Sequence, residues 1–71
     1  MKHIHRFFVT GTLSSGRTAR LGPDDSFHAT RVLRLRPGDP LELAGSDGRV
    51  FHSVVTLVDE SLEARAEEEI H

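Results

Sequence analysis

The chain has 71 residues, a net charge of −2 and no cysteine, which excludes disulfide bridges and thiolate-bound metal as supports. A chain of this length buries only roughly 60% of the surface its unfolded form exposes. Its apolar runs are too short to cross a bilayer, and the basic start Met1-Lys2-His3-Ile4-His5-Arg6 leads into no apolar signal core, so the composition predicts a soluble cytoplasmic protein.

Residues 5–10, His-Arg-Phe-Phe-Val-Thr, are aromatic and β-branched and predict a first strand. Gly11 to Gly22 reads as a loop with a turn at Ser14-Ser15-Gly16 and a short strand over residues 18–21. Gly22-Pro23-Asp24-Asp25 predicts a helix start, because proline suits the first turn and aspartates suit the positive end of the helix dipole. That helix is expected to run to about Leu33, and Pro37-Gly38 then forces a turn. From there the pattern is β: a strand over 40–44, a hairpin turn at Ser46-Asp47-Gly48, a long strand over 49–58, a turn at Asp59-Glu60-Ser61 and a last strand over 62–67. In the long strand, Phe51, Val55 and Leu57 are expected on one face and Val50, Val54 and Val58 on the other. Apolar residues on both faces suit a small closed or sharply curled sheet. Leu62, Ala64 and Ala66 alternate with Glu63, Arg65 and Glu67, as expected of an edge strand. The predicted fold is mainly β, a small barrel with one short helix.

Charge is unevenly distributed. Residues 1–58 carry eight Lys and Arg against five Asp and Glu, whereas residues 59–71 carry six acidic residues and only Arg65. So mild an excess binds nucleic acid only if the arginines concentrate on one face. The segment after the helix start does concentrate them: Arg31, Arg34 and Arg36 fall within six residues. On a 3.6-residue repeat Ala29, Val32 and Leu33 cluster on one side, and Thr30, Arg31 and Arg34 on the other. The helix is therefore expected to dock while holding guanidinium groups in water, where their forks match phosphate oxygens. The alternative is that these arginines solubilise the helix or pair with Asp24, Asp25 or the acidic end of the chain.

Three pieces of the chain, taken in order, resemble the N-terminal domain of the RsmE family of 16S rRNA (uracil-N3) methyltransferases. They are His5-Arg6-Phe7-Phe8-Val9, then His28 to Asp39 with its Val-Leu-Arg-Leu and Gly-Asp, then Leu41-Glu42-Leu43 to Asp47-Gly48. The resemblance implies that residues 1–71 form one PUA-like domain that helps recognise small-subunit rRNA. It also implies an N-terminal fragment whose parent carries a separate, C-terminal SPOUT domain. That domain binds S-adenosylmethionine, supplies the catalytic residues and forms a homodimer. The family often has two adjacent histidines where this chain has Phe27-His28, so any role of the first is absent or replaced here.

The candidate RNA-binding residues are Arg31, Arg34 and Arg36, extended by Arg6 and Lys2 around the first strand, and His28. His28 lies on the wheel at the border of the apolar face, which predicts a half-buried structural histidine, with an RNA contact as the alternative. Arg17 and Arg20 are weaker candidates, and Arg49 reads as a solvated charge beside a turn. His3 and His5 share a strand face but lack a third ligand, a weak metal site. A small barrel needs Phe51 and one of Phe7 and Phe8 inside. Phe27 is the candidate for an exposed ring. The scarcity of aromatics predicts a domain that reads RNA backbone and shape more than unstacked bases. No phosphate loop or nucleophile elbow is present, so the chain is not read as a catalyst by itself. The alternative function is a small barrel that packs against another protein domain or dimerises.

Overall fold

A computed structural model describes residues 4–71. The five strands are β1 (Arg6–Phe8), β2 (Thr18–Arg20), β3 (Pro40–Ala44), β4 (Val50–Val58) and β5 (Leu62–Ile70). They form one sheet in the order β1-β3-β4-β5-β2. Only β1 and β3 run parallel; the other neighbours are antiparallel. The sheet curls into a half-barrel, and the helical segment between β2 and β3 contributes Ala29 to the core.

The inward side chains follow directly from register. Phe7, Leu43 and Phe51 form one row across β1, β3 and β4, and Leu41, Ser53 and Ala66 form the next. Two inward positions of β5 are small: Ala64 lies opposite Val55 and Ala66 opposite Ser53, and both are fully buried. Small side chains at such positions let a sheet close tightly on itself. Phe8, the outward neighbour of Phe7, is exposed, as the strand's period of two requires.

Two irregularities sharpen the curl. Between His52 and Ser53 the pairing skips Glu67 on β5, and between Val55 and Leu57 it skips Thr56 on β4. Extra residues of this kind bend the strand and increase its twist. The Thr56 bulge also changes which residues face inward. Leu57, expected to share a face with Phe51 and Val55, is 46% exposed, and Val58 packs against the core instead. The last strand differs from expectation as well. It continues to Ile70 and lies between β4 and β2, not at an edge; the three-residue β2 is the edge.

Close approaches tie the loops to the sheet. The Gly11 and Ser46 backbones meet through the Ser46 N–H to the Gly11 carbonyl, 2.8 Å, and the Ser46 hydroxyl accepts the Gly11 N–H, also 2.8 Å. A Cβ at Gly45 would stand 2.9 Å from the Gly11 carbonyl oxygen, so only glycine allows this approach.

The helical segment begins as expected and then departs from expectation. Helix α1 (Pro23–Phe27) has Gly22 as its cap and both aspartates in its first turn. From His28 to Val32 the chain winds as a π-helical turn. Thr30 supplies a local cause. Its hydroxyl donates to the Ser26 carbonyl at 2.8 Å, the acceptor that an α-helical Thr30 amide would use. The wider turn shifts the phase of the 3.6-residue wheel, and Val32, expected inward, is 60% exposed. Ala29 is fully buried, and Leu33 and Leu35 pack partly on the core.

Candidate nucleic-acid interface

The wide turn ends on an arginine in an unusual conformation. Leu33 closes the helix with its N–H on the His28 carbonyl, and Arg34 follows at φ 57°. Leu35 then donates to the Ala29 carbonyl at 3.0 Å. This is the left-handed closure that usually takes glycine, reaching one residue further back because the turn is π-wound. It reverses the chain, seating Leu35 partly on the core between two exposed arginines.

As a result Arg31, Arg34 and Arg36 surround one groove of about 500 Å³, whose floor includes Thr30, Leu35 and Val58. None of the three has a carboxylate partner among the described residues. The nearest carboxylate in sequence, Asp39, is occupied by the backbone: its Oδ2 accepts the Arg36 N–H at 2.9 Å. Gly38 and Val55 then pin this turn to β4, with the Gly38 N–H on the Val55 carbonyl and the Val55 N–H on the Asp39 carbonyl. The guanidinium groups are thus left exposed on a rigid support.

Three carboxylates of the acidic end are engaged elsewhere. Glu63 pairs with Arg20, Glu67 with Arg65 and Glu69 with Arg49. Arg49, expected as a solvated charge beside a turn, is clamped: Nε and Nη2 both donate to the Glu69 carboxylate, and its guanidinium lies 5.5 Å from the Phe51 ring centroid. The hydrogen bonds from Arg49 hold the Glu69 carboxyl below its ordinary pKa, and the same pairing raises that of Arg49.

The remaining candidates do not join the trio. Arg6 lies on β1, where Nε donates to Glu42 Oε1 at 2.9 Å, and it does not line the arginine groove. Lys2 and His3 fall outside the described residues. His28, expected half-buried, is exposed. Arg17 and Arg20 line a separate groove with Val9 to Leu13. Among the described residues no group of three His, Cys, Asp or Glu side chains stands ready to hold a metal. No helix among them is long and apolar enough to cross a membrane.

A second groove, of about 480 Å³, adjoins the first and shares Thr30 and Arg31 with it. Its other walls come from Pro23 and Phe27 of the helix and from Asp59, Glu60 and Ser61 of the β4–β5 turn. Phe27 is 62% exposed, and the Arg31 guanidinium sits over its ring at 5.7 Å. The exposed ring agrees with the sequence expectation. The acidic turn beside it does not appear in any local motif, since it is folded against the helix from about thirty residues away.

No protein-family profile matches the sequence, and no curated protein matches it significantly. Solved structures do. A ribosomal RNA small subunit methyltransferase E from Neisseria gonorrhoeae, bound to S-adenosyl methionine, matches 96% of this chain with a TM-score of 0.77 and 30% identity. This is an RsmE-like fold. A protein of Legionella pneumophila assigned as a methyltransferase, bound to the cofactor SAM, matches 97% of this chain with a TM-score of 0.84 and 23% identity. A predicted RNA methyltransferase of Thermotoga maritima matches 90% of it with a TM-score of 0.68 and 20% identity. This chain spans 29% of the length of each of these three proteins.

Proposed function

We propose that this chain is the rRNA-recognition part of an S-adenosylmethionine-dependent uridine-N3 methyltransferase of the RsmE family. In this reading it is a PUA-like domain acting in the cytoplasm. It holds small-subunit rRNA for a separate C-terminal SPOUT domain that binds the methyl donor, performs the transfer and forms the homodimer. The observation that carries it is the gathering of Arg31, Arg34 and Arg36 around one groove, none with a carboxylate partner among the described residues. Unpaired guanidinium groups on a fixed backbone bind phosphate oxygens through parallel N–H groups and release counterions as they do so.

Titration of a small-subunit rRNA hairpin at two salt concentrations tests the proposal. The chain binds at low salt, binding weakens as salt rises, and Arg31→Glu with Arg34→Glu abolishes it. Undetectable binding at low salt, or binding indifferent to the double reversal, would overturn the reading.

A second reading, a protein-interaction or dimerisation module, is favoured by Phe8, 72% exposed on the edge strand β1. Light scattering of wild type and Phe8→Ser separates the two. A dimer lost in Phe8→Ser, with no RNA binding in either protein, supports the module.

A further inference from the structure

The second groove has the wrong chemistry for phosphate, and that gives it a role beside the first. Asp59 and Glu60 repel an anion, and neither forms an ion pair among the described residues. An exposed phenyl ring lines the same groove, with one guanidinium over it. Aromatic rings with an arginine alongside are platforms for unstacked bases. Carboxylates accept hydrogen bonds and donate none, so they select a base edge made of donors. Arg31 and Thr30 border both grooves, which places a base site next to a phosphate site.

Resting on the reading of the arginine groove as an RNA-backbone site, we infer that the Phe27, Asp59 and Glu60 groove receives one unpaired guanine. Guanine alone among the four bases presents two adjacent N–H donors, at N1 and the N2 amine, to the two oxygens of a carboxylate. Uracil turns carbonyl oxygens toward the acids on both sides of its single N–H and is rejected. In a duplex that guanine edge is already paired, so the groove takes a base from a loop, bulge or end. The sequence expectation that the domain reads backbone more than unstacked bases is thereby narrowed: it reads backbone with the arginines and a single base with Phe27.

The test compares the 71-residue chain's affinity for an oligouridine with that for the same oligomer carrying one central guanosine. The guanosine oligomer is expected to bind about tenfold more tightly. Phe27→Ala removes that preference, and Asp59→Asn with Glu60→Gln removes it without weakening oligouridine binding. Phe27, Asp59 and Glu60 are exposed, so far-UV circular dichroism of the variants should match wild type. Equal affinity for the two oligomers, or a preference that survives Phe27→Ala, overturns the inference and leaves the arginine reading standing. Failure of both oligomers to bind at low salt overturns both.

Discussion

Arg34 is held at φ 57°, where a side chain costs roughly 1–2 kcal/mol and glycine costs nothing. The residue at the strained position is also one of the three that surround the arginine groove. Strained backbone at a ligand-binding surface is a recurring arrangement, retained where the side chain has a use. Arg34→Gly separates the two roles. Relief of strain, offset by the greater freedom of glycine in the unfolded chain, leaves the variant as stable as wild type or up to about 1 kcal/mol more stable. RNA affinity falls at the same time. Thermal melting and an RNA titration on the same preparation check this, and a clear loss of stability would show that Arg34 is held for packing. Ser26 is the opposite case, a small polar residue with a purely structural position. It is buried, donates to the Leu21 carbonyl and accepts the Leu62 N–H, both at 3.1 Å. Ser26→Ala leaves the Leu62 amide without its partner and is expected to cost about 1–3 kcal/mol in denaturant unfolding. A cost near zero would mean that the hydroxyl does not join the helix to β5.

The elements differ in how far local sequence could foretell them. Strand β3 starts and ends where its proline, its alternation and the following Asp-Gly turn place it. The helix start follows from Pro23 and two aspartates, which act within one turn. The π turn does not follow from periodicity, because it depends on which donor takes the Ser26 carbonyl, and Thr30 offers two. The face change at Leu57 likewise depends on a bulge set by pairing with β5. The arginine groove was legible because its three arginines lie within six residues of chain. Its neighbour was only half legible. Phe27 stood out as an exposed ring, whereas Asp59 and Glu60 reach it through the β4–β5 turn, a tertiary approach that no local pattern carries.

At the scale of the whole molecule, the acidic end is part of the sheet, and this sorts the charges. Strand β5 takes Arg20, Arg49 and Arg65 into ion pairs and leaves Arg31, Arg34 and Arg36 without them among the described residues. The Arg49–Glu69 clamp fastens the end of β5 to the β3–β4 hairpin and brings a pH dependence. Because the Glu69 carboxyl is held below its ordinary pKa when folded, its contribution is present above the usual carboxylate range and is lost as pH falls through the folded value. The stability gap between wild type and Glu69→Gln should therefore be widest near neutrality and close as pH falls below the usual carboxylate range. A gap that stays constant between neutrality and acid, followed by thermal melting, would show the clamp to be unimportant.

The salt dependence of RNA binding measures the sorted charge most directly. For a small-subunit rRNA hairpin, the plot of log affinity against log salt should be steep for wild type. Replacing Arg31, Arg34 and Arg36 together by glutamine should flatten the slope by about 2–3, close to one unit for each phosphate no longer neutralised. An unchanged slope in a folded triple variant would contradict the account, because it would mean that the phosphates are held somewhere other than this groove.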